Sequence, residues 1–531
     1  MTPDTLDLPA TSPRRADVCI ALSLAIFTVI LWAPVIRWNL ILGDEGWLVS
    51  GVQRILAGET LYRDVVRSYS PGVFWSLVPF FRLFGESVVV MRGVALAELA
   101  IVAVLTFLIA RPLVPRWAAL WCGLLPVLLR APYHKMFVPL SLMVAVWLCQ
   151  RLVSSNPGSR RTFAVGIGLG LVGLLRQEVA AYATIVALAS LLAVEVCPQA
   201  GSELRRPILR DLARSWLMLA AGIAVVWVPV VGVLVSQGAP GEVFDQLVLL
   251  GLRGNVAMEL PFPPIAAIVW GPGRLVASLY YFPIVMVLGS TAAVGIAAAR
   301  RRLQRRHIVL AQWAAMALLT HSVFMARSGV PHLRQVLPVS ALMLAYLTGW
   351  LWRAERAKTV RRLLLVPLIG IWAIGLLARG AATGMATYRA VQHGERLDEP
   401  GAPVILRSDK AQRFREVLRI LRERTVPGEP IFVAPHASML YVMSGRVNPT
   451  RHDSTWPGFV SDPGVQREII TDLEAAGVNI LVLVNDSAPQ DGDEERRFPL
   501  YTPTLAQYLE DHFALFTSVG PVIFYERRSR Q

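Results

Sequence analysis

Charge is scarce in this chain of 531 residues: 17% are Asp, Glu, Lys or Arg, against 54% hydrophobic, and the mean hydropathy of +0.51 excludes an ordinary soluble composition. Cysteine is scarcer still. The four (Cys19, Cys122, Cys149, Cys197) lie in or beside apolar stretches and none falls in the polar C-terminal part, so no disulfide framework or zinc knuckle is encoded. Lysine is almost absent, with only Lys135, Lys358 and Lys410, so arginine carries the net charge of +15. Those arginines cluster in short loops between apolar runs rather than in one basic patch, which excludes a nucleic-acid partner and points to a lipid bilayer. No small-residue cleavage site follows the first apolar run, so it reads as a retained helix rather than a signal peptide.

What is present in quantity is apolar sequence in lengths near the roughly 20 residues that cross a bilayer as helix. Eleven spans are expected, near 18–36, 87–110, 117–130, 135–150, 163–176, 179–196, 215–236, 275–299, 308–326, 336–352 and 363–378. Alternate loops hold the cations: Arg14/Arg15, Arg111/Arg116, Arg160/Arg161, Arg205/Arg206/Arg210/Arg214, Arg300/Arg301/Arg302/Arg305/Arg306 and Arg353/Arg356/Lys358/Arg361/Arg362. The positive-inside rule makes that side cytoplasmic, with the N-terminus inside. The 37–86 loop, the 237–274 loop and the C-terminal part then lie outside, in a bacterial cytoplasmic membrane.

From about residue 385 the apolar runs shorten. Ser408-Asp409 reads as the cap of a helix to about Arg424, and Asp462-Pro463 as the start of another. Pro430–Ala434, Val478–Val484 and Val522–Tyr525 read as strands, and Thr504–His512 as a helix. The fold class is therefore a polytopic α-helical membrane protein, with a bundle over 1–384 and an extracytoplasmic α/β domain over 385–531. The tail has no GxGxxG, P-loop or nucleophile elbow, so catalysis is not expected there.

Asp44-Glu45 stands just past the first span, in Gly43-Asp44-Glu45-Gly46-Trp47. Ionisable groups at a membrane helix mouth are costly and usually functional. On the same expected side lie Arg67 near Tyr69, His134-Lys135, Arg176-Gln177-Glu178, Arg253, and His332 with Arg334. An outward pocket of carboxylates and cations suits one reaction well. A sugar on a polyprenyl phosphate arrives from the lipid phase and an acceptor hydroxyl attacks its anomeric carbon. A carboxylate takes the hydroxyl proton, with Asp44 as candidate base. Cations and hydrogen-bond donors receive the leaving phosphate. Plainer readings stand beside these: Asp44-Glu45 as a helix cap, His134-Lys135 as a snorkelling anchor, Arg176-Gln177-Glu178 as a turn with an internal ion pair, Arg253 as a solvated charge, and His332 and Arg334 as interfacial cations. Arg92 and Glu98, inside the second span, are expected to be structural. A lipid-linked sugar transporter or flippase, and a non-catalytic envelope scaffold, are the alternatives at the level of the whole chain.

The Asp-Glu pair after the first span, Gly58-Glu59-Thr60-Leu61-Tyr62-Arg63-Asp64, Tyr69-Ser70-Pro71-Gly72, Leu175-Arg176-Gln177-Glu178-Val179 and His332-Leu333-Arg334-Gln335-Val336-Leu337-Pro338 together resemble the GT-C superfamily of membrane glycosyltransferases. The resemblance is to the bacterial group related to protein O-mannosyltransferases and aminoarabinose transferase (family 39-like). Pro435-His436 to Thr450 resembles the outer domain that follows the bundle in such proteins. The resemblance implies an inverting hexosyl or pentosyl transferase that uses a polyprenyl-phosphate sugar donor on the outer face to modify a cell-envelope acceptor. It carries the base role onto Asp44. It implies no organic cofactor, and the Arg130–Lys135 loop lacks the second acidic residue that a bound divalent metal needs in some members. Where the aminoarabinose transferases carry Glu-Lys before the loop proline, this chain has Tyr69-Ser70, so the phosphate contact of that lysine is expected at Arg67 instead. Glu45 is expected to orient a cation, cap the helix or bind acceptor.

Overall fold

Long apolar runs without competing polar side chains satisfy their backbone internally as helix, the solution open to a chain in hydrocarbon. In the computed structural model the described residues are 15–153, 158–196, 209–238, 240–266, 274–300, 303–325, 327, 329–353, 366–484 and 493–528. Its longer helices up to the tail are α1 (Arg15–Trp32), α2 (Asp44–Leu56), α3 (Val88–Ala110), α4 (Arg116–Leu128), α5 (Phe137–Val153), α6 (Ser159–Leu175), α7 (Gln177–Val196), α8 (Leu209–Ser236), α9 (Arg274–Ala299), α10 (Arg305–Met325), α11 (Val330–Arg353) and α12 (Val366–Gln392), with the shorter Gly72–Trp75, Val78–Phe84, Pro240–Phe244 and Leu250–Ala257 in the loops between them. Each of the eleven apolar segments falls on one of these, α2 being the addition; the start of the last segment lies outside the described residues. Six of the helices are long and apolar enough to cross a membrane by length and composition. Arg14, Cys197, Arg205, Arg206, Arg301, Arg302, Arg356, Lys358, Arg361 and Arg362 also lie outside the described residues.

The chain divides into two compact units that do not follow a single cut in sequence. One comprises the described residues of Met1–Trp32, Ala95–Gly232 and Pro261–Gly384; the other Ala33–Val94, Val233–Leu260 and Met385–Gln531. The 37–86 loop, expected with the bundle, therefore groups with the tail.

In the helical unit α5 is buried along most of its length and packs against α6, α7, α10 and α11. Gln312 of α10 donates to the Cys149 carbonyl of α5 (2.9 Å) and to Ser190 Oγ of α7 (2.8 Å), a polar clasp between apolar helices. Helices α6 and α8 cross backbone on backbone: a Cβ at Gly222 would lie 2.3 Å from the Phe163 carbonyl oxygen. Asp17 on α1 accepts from Arg111 (3.0 Å) and Arg116 (2.8 Å), which brings the start of α1 to the α3–α4 loop. Leu22 and Ile30 of α1, and Leu217 and Val228 of α8, are exposed as lipid-facing side chains are. The apolar surface marks a membrane protein. The break after Leu175 falls at Arg176, whose backbone is extended (φ −149°, ψ 100°), so the apolar stretch through it makes two helices instead of one.

The tail contains β1 (Glu395–Glu399), β2 (Ala402–Leu406), α13 (Ser408–Arg424), β3 (Ile431–Ala434), α14 (Met439–Ser444), α15 (Pro463–Ala475), β4 (Ile480–Val484), α16 (Pro503–His512), β5 (Phe513–Val519) and β6 (Val522–Arg527). β1 and β2 form an antiparallel hairpin, and a four-stranded sheet runs β3-β4-β6-β5 with β3 and β4 parallel. Val417, Leu421, Ile431, Val433, Leu440, Ile480, Val482 and Phe524 pack into one core; Phe432, Ile469, Leu473, Leu481, Leu505 and Phe513 form another. Asp462 caps α15, accepting from Gly464 N (2.7 Å) and Val465 N (3.4 Å). The expected cap at Ser408-Asp409 is corrected: Arg407 holds the cap position without a side-chain bond, and both residues lie inside the first turn.

Within this unit the early loop is sewn to the tail. Asn39 N donates to the Ile405 carbonyl (2.9 Å) and Ile405 N to that of Arg37 (2.8 Å), extending the edge of β2. Val66 N donates to the Arg451 carbonyl (2.9 Å), and Met439 N to that of Leu42 (3.0 Å).

Candidate functional site

Asp44 and Glu45 form the first turn of α2, with Gly43 at the cap position and no side-chain capping bond from it. Adjacent helical residues point about 100° apart, and the structure sends these two to different fates. Glu45 is buried, its side chain 1% exposed, and Arg92 grips it through Nε (2.8 Å) and Nη2 (2.5 Å). The remaining Arg92 donors reach the carbonyls of Ile36 (2.9 Å), Trp38 (3.1 Å) and Asn39 (2.9 Å), while Ile41 N donates to Glu45 Oε2 at 3.1 Å. Of the three expectations for Glu45, the one that matches this geometry is contact with a cation, Arg92, in an internal clasp that folds the 36–41 loop around an ion pair, and the acceptor contact gives way to it. Asp44 keeps a third of its side chain open and faces His436, Nε2 to Oδ1 3.7 Å.

Next to this pair lies a buried charge hub. Asp453 accepts from Ser50 Oγ (2.7 Å), Arg54 Nη1 (2.7 Å), Asn448 Nδ2 (2.9 Å) and Arg67 Nη2. Burial alone would raise the Asp453 carboxyl, but the two guanidinium charges and the hydrogen bonds from Arg67 and Ser50 outweigh it and hold it well below the usual carboxylate range. Arg67 is fully buried; its Nη1 donates to the Val66 carbonyl (2.7 Å) and its plane lies over Trp47 (4.7 Å) and Phe74 (5.7 Å). The lipid-phosphate contact expected at Arg67 is corrected accordingly: its charge is already matched inside the protein and it presents no edge to a ligand. Tyr69 is half-buried, edge-on to Trp47 at 5.0 Å, and its carbonyl accepts from Tyr62 OH at 2.9 Å. Arg253 is open, 58% exposed, with Asp245 at 3.4 Å.

In the helical unit the structure joins residues far apart in sequence. Lys135 Nζ lies 3.3 Å from His332 Nε2. His134 is buried in the short turn Tyr133–Lys135 that leads into α5. Arg176 and Glu178 pair across the α6–α7 break, the internal ion pair of the plainer reading, with Gln177 opening α7 between them. Arg334 is half-buried on α11. Among the described residues no cluster of three His, Cys, Asp or Glu side chains forms a metal site.

Sequence reasoning missed His436, Trp456, Asp453 and Arg54. The available signal was compositional: Pro435-His436 and Arg451-His452-Asp453 are polar clusters in turns between buried strands and helices, where loops carry function.

The architecture has a fold shared with solved structures of the GT-C superfamily. Among solved structures, ArnT from Cupriavidus metallidurans, an aminoarabinose transferase bound to undecaprenyl phosphate, superposes with TM-score 0.56 at 14% identity, over 97% of this chain and 99% of that one. Its apo state gives 0.53 at 12% identity, over 96% and 98%. The archaeal oligosaccharyltransferase AglB from Archaeoglobus fulgidus, in complex with an inhibitory peptide and a dolichol-phosphate, gives 0.51 at 14% identity, over 97% of this chain and 74% of that one. No family model and no curated protein matches the sequence. At such identities the likeness defines the fold, and residue roles must be argued from the site.

Proposed function

We propose that the chain transfers a hexosyl or pentosyl group, with inversion, from a polyprenyl-phosphate sugar to a cell-envelope acceptor. The reaction is assigned to the outer face of the cytoplasmic membrane, with the N-terminus inside and residues 385–531 outside. The observation that carries this reading is the separation of the acidic pair: Glu45 is consumed by Arg92, while Asp44 stays a third exposed beside His436. A carboxylate one-third exposed at the N-terminus of a helix held by buried ion pairs is suited to take a proton from an incoming hydroxyl. The acceptor oxygen then bonds the anomeric carbon, and the bond to the phosphate oxygen breaks with its electron pair on the phosphate. Lys135, His332, Arg334 and Arg176, with Arg253, are the side chains proposed to bind the phosphate and sugar; cations in low dielectric stabilise such a leaving group more than in water. Likeness to two proteins solved with polyprenyl-type lipid phosphates supports the donor class.

The test is release of polyprenyl phosphate from a lipid-linked sugar in membranes carrying wild type or Asp44→Asn. A loss of about 10²- to 10⁴-fold is expected for removal of a general base. A folded Asp44→Asn protein with wild-type turnover would remove Asp44 from this role.

A further inference from the structure

The Asp44 carboxylate is met by an imidazole that three separate stretches of chain are shaped to hold. The segment after β3 places His436 Nε2 3.7 Å from Asp44 Oδ1. Trp456 packs edge-on against the same ring, centroids 4.5 Å apart at 66°. Its neighbour Thr455 is tied to Pro435, donating to that carbonyl from N (2.7 Å) and from Oγ1 (3.0 Å), so the ring and its support are fastened to one another. On α2, the approach exists only because residue 43 is glycine: a Cβ there would lie 2.0 Å from His436 Cδ2. Gly46 admits the following turn in the same way, since its Cβ would lie 2.2 Å from Met439 N. Sequence reading placed no chemistry in the tail, yet the tail delivers this side chain.

We infer that His436 is the positioning residue of Asp44, so that the tail completes the base. This rests on the glycosyl-transfer reading above. The ring stands within ion-pair range of the carboxylate and narrows its rotamers, so the base meets the hydroxyl aimed. His436 takes no part in the bond changes. The hydroxyl proton passes to Asp44, the acceptor oxygen bonds the anomeric carbon, and the phosphate leaves with the electron pair. Other charges pack nearby, each with its own partners: Glu45 with Arg92 on α3, Asp453 with Arg54 of α2 and Arg67, and Lys410 of α13 with Asn39 Oδ1 (3.0 Å) and the Leu40 carbonyl (3.1 Å).

The test uses the full chain in membranes, with undecaprenyl-phosphate-linked glucose, mannose and arabinose each supplied as donor and released undecaprenyl phosphate as readout. For the donor that is turned over, His436→Gln is expected to lower kcat about 10- to 100-fold with KM little changed. Gly43→Ala, which crowds the ring without deleting it, is expected to lower kcat in the same way with KM little changed, and serves if His436→Gln does not fold. If Asp44→Asn abolishes turnover while His436→Gln and Gly43→Ala keep the wild-type kcat, or lose turnover only through KM, the role of His436 is overturned and the reaction stands. If wild type turns over none of the donors, or Asp44→Asn matches wild type, the reaction reading itself fails and this inference with it.

Discussion

Replacing Asp453 by asparagine tests the claim that buried charge holds the second unit together. The Asp453 side chain is 1% exposed and Arg67 is fully buried, so neither has water to fall back on. Asparagine keeps one acceptor oxygen, but turns a donor amide toward groups that are all donors: Ser50 Oγ, Arg54 Nη1, Asn448 Nδ2 and Arg67 Nη2. Arg54 retains Glu59 (2.7 Å) and the carbonyls of Thr450 (3.0 Å) and Asp64 (2.9 Å), whereas Arg67 retains only the Val66 carbonyl and the faces of Trp47 and Phe74. Breaking a buried pair from one side costs about 3–5 kcal/mol, because the other charge stays behind. Since 1.4 kcal/mol is about tenfold in an equilibrium, local opening should become about 10²- to 4 × 10³-fold more frequent. Amide hydrogen exchange across 44–56 and 448–456 reads this directly, without requiring the whole membrane protein to unfold reversibly. The paired change Asp453→Leu with Arg67→Met removes both charges and is expected to recover most of the protection. Protection in Asp453→Asn within about tenfold of wild type would refute the view that this hub locks the early loop to the tail.

Other outcomes follow from the same contacts. Glu45→Gln, facing Arg92 at 2% exposure, is expected to cost about 3–5 kcal/mol and to expose 36–41 to protease, whereas Asp44→Asn leaves protease resistance unchanged. Gly46→Ala, with its methyl 2.2 Å from Met439 N, is expected to force α2 and α14 apart at a cost of about 1–3 kcal/mol, measured as faster exchange at Met439. Glu474 provides the contrast: Arg527 and Tyr508 hold its carboxyl down to about 2, but it lies at the surface, so Glu474→Gln is expected to cost under about 1 kcal/mol in the same exchange measurement. The pH dependence of the hub has a defined sign. The folded carboxyl of Asp453 titrates below the ordinary value near 3.9, so its contribution is complete above that pH and is lost only as pH falls further toward the folded value. Exchange protection of 448–456 at pH 4.5 close to that at pH 7 is the expected result.

Much of the scaffold was legible before any coordinates. Hydropathy marked the eleven apolar segments, and the polar break at Arg176 separated α6 from α7. The tail strands at Ile431–Ala434 and Ile480–Val484 were visible as short apolar runs between turn residues. The β1–β2 hairpin and β5 were not: Glu395–Glu399 is charged, and Phe513–Val519 is an edge strand with a single buried side chain, so neither has the period that signals a strand. Of the candidate site, the residue types were legible and their partners were not. Lys135 meets His332 and Asp44 meets His436 across 197 and 392 positions of chain respectively, and no local pattern reports such a meeting.

The sequence by itself determined that this is a helical membrane protein with a polar α/β tail and an acidic pair after its first apolar helix. Composition and spacing are local properties, and a bilayer-length apolar run has few other structures open to it. Only the tertiary structure decided what each charge does. Arg67 reads as a phosphate ligand in the chain and Glu45 as a cation, cap or acceptor contact, yet the fold pairs them with Asp453 and Arg92. Asp44, one residue away and one helical step around, stays open beside a histidine from the tail. A buried ion pair depends on which opposite charge the folded chain brings within reach, and that is set by packing over hundreds of residues.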